Sequence, residues 1–311
     1  MNSKTLSPTL LLILIALMVN IKNAEAQKFY INLDGSYGFN ANSASYGNAS
    51  TFEAVNITQY NGVTASYNFN TGEVGNTSLA KGINFGGIIG YNICKHINVE
   101  VGGYYVPGMT ASYNFSNIFY NEYSNYYTDN WKASMIRIVP AIKLTCDSAK
   151  WIPYIKMGMA LGIISSMTND ETGVENSINN QIQTTSTSET NTKYTGPLAI
   201  GVMAALGVDY NITEMFGIFA EINYTGMSWA PTESVVTKAT VNGSSILADL
   251  PLSSTQTNYS NTYTPPTITQ LTNNYNALPA SAIKQYYPFS TWGFNIGVKF
   301  NFGKRGDAKT N

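Results

Sequence analysis

Along Ile155-Lys156-Met157-Gly158-Met159-Ala160-Leu161-Gly162-Ile163 every odd position is large and apolar, and every even position is small or charged. A strand has a side-chain period of two, so the two sets face opposite ways. The pattern recurs about eight times along the chain, with almost no helical periodicity. One face suits lipid and the other is small or polar, which predicts an all-β fold, an eight-stranded antiparallel transmembrane β-barrel. Strands are expected at Lys28–Asn40, Gly82–Ile93, Ile97–Pro107, Trp131–Thr145, Pro153–Ser165, Gly196–Tyr210, Phe216–Trp229 and Phe289–Phe302. The connections Cys94–His96, Cys146–Ile152 and Asn211–Met215 are short, whereas Ala41–Lys81, Gly108–Asn130, Ser166–Thr195 and Ala230–Pro288 are long. Membrane barrels have short periplasmic turns and long extracellular loops, so both termini are expected on the periplasmic side.

The parity sends residues such as Leu33, Ile89, Val101, Ile142, Val202, Leu206, Ile222 and Ile296 outward. Aromatic residues collect at strand ends: Trp131, Trp229, Phe289 and Trp292 at the extracellular end, and Tyr91, Trp151, Tyr210 and Phe216 at the other. These are expected to form girdles at the headgroup level, where an amphipathic ring has one wet and one oily end. Pro140 falls in the middle of the fourth strand, where it loses a ladder bond or marks a bulge.

Residues 1–26 read as a secretory signal peptide: Lys4, an apolar run from Leu10 to Val19, then Ala24-Glu25-Ala26 as the cleavage site. That run is too short to span a membrane as a helix. The barrel domain is expected over 27–303, followed by a short periplasmic tail over 304–311. Charged residues are only 11% and the net charge is −1, so no basic surface for nucleic acid is available. After the signal segment no apolar run is long enough for a membrane helix, and lipid tolerates no open sheet edge.

Three stretches carry a family resemblance: Val99-Glu100-Val101-Gly102-Gly103-Tyr104, Phe219-Ala220-Glu221-Ile222-Asn223-Tyr224, and Gly293-Phe294-Asn295-Ile296-Gly297-Val298-Lys299-Phe300-Asn301-Phe302. Over roughly 28–302, loops aside, the chain resembles the small eight-stranded outer-membrane barrels of Gram-negative bacteria, of the OmpA-transmembrane, OmpX and OmpW type. The ending resembles that of Bacteroidetes-type barrels. The resemblance implies an outer-membrane location, contact with lipid and lipopolysaccharide, and delivery by the barrel-assembly machinery. Phe302 looks like the terminal aromatic of the assembly signal, although Gly303 to Asn311 follow it.

Parity sends eight charges inward: Asp34, Glu100, Arg137, Lys143, Lys156, Asp209, Glu221 and Lys299. An eight-stranded lumen is just wide enough for its own side chains. Buried charges need partners, so a balanced set suggests a salt-bridge network, with Arg137 and Glu221 as the first pair expected. The other reading is a selective channel lined by the same groups.

The one histidine, His96, falls in a predicted periplasmic turn beside Cys94 and Lys95. It has no serine and carboxylate around it in the manner of a triad, so no enzyme is expected. No cofactor motif or metal-ligand spacing stands out. Cys94 and Cys146 fall in neighbouring turns of an oxidising compartment. They either pair, closing a loop of about 52 residues worth ~4 kcal/mol, or stay reduced. The long connections are rich in Tyr, Asn, Ser and Thr, a composition suited to adaptable recognition surfaces. The sequence therefore points to a monomeric, non-enzymatic barrel that displays surface loops to an extracellular partner. The alternative is a narrow passive channel for small or hydrophobic molecules, and a lipid-modifying enzyme is a distant third.

Overall fold

Branched apolar residues alternate with glycine and tyrosine because the wall they build has two unlike faces. The computed structural model describes residues 29–41, 44–46, 68–72, 75–119, 123–146, 150–179, 182–262 and 277–302. The expected signal segment 1–26 and tail 304–311 lie outside them. In chain order the strands are β1 (Phe29–Asn40), β2 (Ala44–Tyr46), β3 (Asn68–Gly72), β4 (Gly75–Thr77), β5 (Gly82–Asn92) and β6 (Ile97–Val106). Then come β7 (Ala111–Phe119), β8 (Tyr123–Thr145), β9 (Trp151–Asn179), β10 (Ile182–Thr195), β11 (Ala199–Asn211) and β12 (Phe216–Trp229). The last are β13 (Glu233–Val241), β14 (Ser244–Ser245), β15 (Gln256–Ser260), β16 (Ala280–Ile283), β17 (Tyr287–Pro288) and β18 (Thr291–Phe302), with a 3-10 turn at Leu247–Asp249 and a short α-helix at Leu252–Thr255.

Eight of these close into an antiparallel barrel in the order β1, β5, β6, β8, β9, β11, β12, β18, with β18 pairing back to β1. The register measures the stagger. From Asp209 the paired row runs through Phe219, Gly297, Asp34, Gly86, Tyr104, Arg137 and Gly162. It returns to β11 at Ala199, ten residues from where it started. Strands of such a barrel tilt strongly, so equal positions in two strands lie at different heights.

Leu33, Phe85, Ile89, Val101, Ile142, Met157, Val202, Leu206, Ile222 and Ile296 all stand on the outside, exposed. A continuous apolar belt of this size is stable against lipid and not against water. The inner face is tight because glycines let rings lie flat against the wall. A Cβ on Gly90 would collide with the Tyr30 ring, and one on Gly86 with the Tyr104 ring. Pro140 points outward. The β8–β9 pairing lapses at Val139 and Pro140 and resumes in the same register, so the proline costs ladder bonds without making a bulge.

The aromatic girdle differs from expectation at one end. Trp292 faces outward, but Trp131, Trp229 and Phe289 are buried in the lumen. Trp131 shares its parity with Arg137, and Trp229 with Glu221, so both must point inward. At the other end outward rings do pair: Phe29 with Tyr91 at 4.9 Å, Trp151 with Tyr210 at 4.5 Å, and Phe216 with Phe300 at 5.6 Å between centroids.

The long connections also differ. Where loops were expected over Gly108–Asn130 and Ser166–Thr195, β8 and β9 continue together past the barrel as far as the pair Tyr123 and Ser177. β7 joins β8 on one side, and β10, β13, β15 and β16 extend the sheet on the other. Polar Tyr, Thr and Asn alternate well enough to hold strand geometry where both faces are wet. Asn242 and Gly243, with φ of 51° and 78°, turn β13 back into β14 as a tight hairpin. A register shift at Ser134/Met135 sets the geometry of the extension. It leaves an extra residue on β9, and below it Lys156, Gly158 and Ala160 face in, whereas above it Met167, Asn169 and Glu171 do.

Candidate functional site

The lower lumen, nearest the short turns, is filled by a continuous ion-pair chain. Lys299 reaches Asp209 at 2.6 Å, and Asp209 also holds Lys143 at 2.9 Å. Lys143 lies 3.7 Å from Glu100, Glu100 lies 3.4 Å from Lys156, and Lys156 reaches Glu221 at 2.6 Å. Tyrosines complete the cage: Tyr30 donates to Glu100 at 2.6 Å and Tyr154 donates to Glu221 at 3.0 Å. The Lys143 ammonium sits 3.7 Å from the Tyr154 ring centre, and that of Lys299 sits 4.4 Å from the Tyr30 ring centre. Asn295 donates to Glu221 at 3.0 Å and accepts from Asn223 at 2.7 Å. Charges removed from water survive only when paired and hydrogen-bonded: Glu100 and Glu221 each have a lysine and a neutral donor, and Asp209 is held by two lysines.

Asp34 and Arg137 are buried in the lumen but stand apart from this chain. The expected Arg137–Glu221 pair does not form. Arg137 packs over the Tyr104 ring at 5.4 Å, and Glu221 belongs to Lys156. The stagger explains this. Glu221 pairs with Gly207, which pairs with Tyr154, two residues from Lys156. The row through Arg137 meets β9 at Gly162, eight residues from Tyr154. Among the described residues, Arg137 Nε and Nη1, both Asp34 carboxylate oxygens, and Oδ1 of Asn32 and Asn84 make no hydrogen bond. The middle of the lumen is therefore polar and uncommitted.

Above it the lumen turns apolar. Met135, Met203, Met227 and Met167 are buried there, and Trp229 and Phe289 close over them. The Trp229 indole donates to the Pro197 carbonyl at 2.7 Å, which fixes its plane. Trp131, Tyr194 and Tyr287 form a mutual cluster of tilted and edge-on rings, with centroids 5.2, 5.3 and 6.3 Å apart, which stoppers the mouth.

On the inner face of the extension, just beyond the stopper, Asp129 lies directly opposite Glu171, and Trp131 opposite Asn169. Burial and then the charge of Glu171 push the Asp129 carboxyl up to about 6, against a hydrogen bond from Asn169 that works the other way. Burial, the phenols of Tyr287 and Tyr259, and then the carboxylates of Asp129 and Glu171 raise the Tyr194 phenol. Sequence reasoning missed Asp129, Asn169, Glu171 and Tyr194 by assigning 108–130 and 166–195 to loops. The signal was present in the period-two run Asn125, Tyr127, Asp129, Trp131.

Cys94 and Cys146 are both exposed and unbridged. The Thr145 amide bonds the His96 carbonyl, so Cys146 falls level with Lys95 and not with Cys94. His96 lies in the same turn, its ring Nδ1 3.1 Å from the Thr145 carbonyl oxygen.

No family model and no curated protein matches the sequence. Among solved structures the chain is similar to the crystal structure of the outer membrane protein OprG from Pseudomonas aeruginosa. The TM-score is 0.33 and the identity 11%, over 92% of this chain and 100% of that one, and a likeness at this level carries no functional argument.

Proposed function

We propose that the protein is a non-enzymatic outer-membrane barrel whose closed membrane span holds a β-sheet out at the cell surface, in a structural or partner-binding role. The observation that supports this most is the doubly filled lumen. An ion-pair chain occupies the short-turn half, and an aromatic stopper of Trp131, Tyr194, Tyr287, Trp229 and Phe289 occupies the mouth. The extended sheet then stands outside the cell, the short turns face the periplasm, and lipid and lipopolysaccharide contact the apolar belt. His96 lies in a short turn at the opposite end from the aromatic cluster at the mouth, which fits the non-enzymatic reading.

A narrow passive channel is the second reading, and the uncommitted Asp34 and Arg137 in mid-lumen favour it. Planar-bilayer recording of the refolded full chain separates the two. The closed-anchor reading expects no steady conductance at moderate voltage. A reproducible, ion-selective conductance that Trp131→Ala enlarges and that changes selectivity in Arg137→Met would replace it with the channel reading.

A further inference from the structure

The outer wall is not smooth at its short-turn end. One row of the ladder sets Leu144, Ile155 and Leu206 side by side across β8, β9 and β11, exposed on the outer face. Side chains on one face of a strand are two residues apart, so the next outward positions toward the turn are Cys146 and Pro153. The Cys146 amide donates to the Pro153 carbonyl at 3.0 Å. Both side chains are small beside the branched row, and the wall drops there into an apolar groove of about 410 Å³. Its floor is backbone: Gly207 has no side chain, and the Tyr154 ring is turned into the lumen, where it donates to Glu221. Trp151 and Tyr210, with ring centres 4.5 Å apart, flank the groove on its turn side, at the level expected of lipid headgroups. Beyond them the rim is basic. Lys150, Lys95 and His96 are all exposed. Thr145, which lines the groove, holds the second turn in place: its hydroxyl donates to the Lys95 carbonyl at 3.2 Å and its amide to the His96 carbonyl at 2.9 Å. The one acid in the sequence of these two turns is Asp147, outside the described residues.

We infer that this groove holds an acyl chain of an anionic phospholipid, whose phosphate lies at the rim with Lys150 and Lys95. The inference rests on the reading of the chain as an outer-membrane barrel, and it names the lipid that one place on the belt selects. The groove opens sideways from the apolar belt, so hydrocarbon is what fills it in a membrane. The head is chosen by charge: ammonium groups at headgroup level favour an anionic lipid over a zwitterionic one with the same tails. A soluble phosphate would use the lysines and leave the apolar groove unfilled.

The two cysteines supply the test, because Cys146 lines the groove and Cys94, in the neighbouring turn, does not. Cys94→Ser and Cys146→Ser each leave one exposed thiol. Each full-chain variant is refolded in phosphatidylcholine vesicles carrying increasing fractions of phosphatidylglycerol, and its reaction with N-ethylmaleimide, an uncharged reagent, is timed. Phosphatidylglycerol is expected to slow the reaction of Cys146 several-fold and saturably, and to leave Cys94, on the same membrane surface, little changed. Adding Lys150→Gln to the Cys94→Ser chain should raise the fraction needed for half-protection about fivefold. The inference is overturned by equal slowing of both thiols, by no effect of phosphatidylglycerol, or by an unmoved half-point in Lys150→Gln. Protection by soluble glycerol phosphate over pure phosphatidylcholine would also overturn it, in favour of a free-phosphate site. The same samples are floated on a density gradient. A chain that does not float with the vesicles overturns the barrel reading along with this one, whereas a floating chain with an unprotected Cys146 overturns only the lipid site.

Discussion

Glu221 is the side chain whose removal tests the lumen network most directly. Its carboxylate takes Lys156 at 2.6 Å, the Tyr154 hydroxyl at 3.0 Å and the Asn295 amide at 3.0 Å. Among the described residues, Glu221→Ala leaves Lys156 with Glu100, at 3.4 Å, and strands two buried donors. Breaking one side of a buried ion pair costs about 3–5 kcal/mol, because the remaining charge keeps its desolvation penalty. The surviving Glu100 contact puts the expectation at the lower end, about 3 kcal/mol. The assay is urea unfolding of the barrel refolded in lipid vesicles, run as a double-mutant cycle. Glu221→Gln with Lys156→Met removes both charges, so it should cost less than the two singles added, by about 1–3 kcal/mol. Glu221→Ala with Arg137→Met should instead be additive within about 0.5 kcal/mol, since those groups do not touch. Strong coupling to Arg137 and none to Lys156 would refute the pairing and the stagger argument behind it. A loss below about 1 kcal/mol for Glu221→Ala would refute the claim that the network is dry and tight.

Leu206→Arg places a charge in the apolar belt and should cost about 2–4 kcal/mol in vesicles, whereas the same change at exposed Thr187 on β10 should be near neutral. Gly90→Ala should push Tyr30 off its seat and break its bond to Glu100, costing about 1–3 kcal/mol in the same unfolding assay. An epitope inserted at Ser254 should be labelled on intact cells, and one between Thr213 and Glu214 only after the outer membrane is opened; the reverse result would invert the topology. Asp129 holds its proton more tightly folded than unfolded, so it costs stability as pH rises from the ordinary carboxylate range through about 6. Asp129→Asn should therefore raise the melting temperature modestly at pH 7, and the gain should vanish near pH 4; a gain that persists at low pH would contradict the assignment.

Period-two alternation is enough to say that Ile155 and Lys156 take opposite sides of a wall, because a strand leaves its side chains no other choice. A chain with eight such segments and few charges between them has one way to satisfy its backbone in lipid, which is to close. Those conclusions need no coordinates. The partner of each buried charge does need them. Arg137 and Glu221 occupy similar positions within their own strands, yet a stagger of ten residues around the barrel sets them on different rows and hands Glu221 to Lys156. The acidic and aromatic cluster at the mouth depends on a smaller feature still. One extra residue on β9 opposite Ser134 and Met135 inverts the parity above it, turning Asn169 and Glu171 inward toward Trp131 and Asp129. Alternation is local and is written in each strand, whereas stagger and bulges are properties of how strands meet, and only the closed barrel decides them.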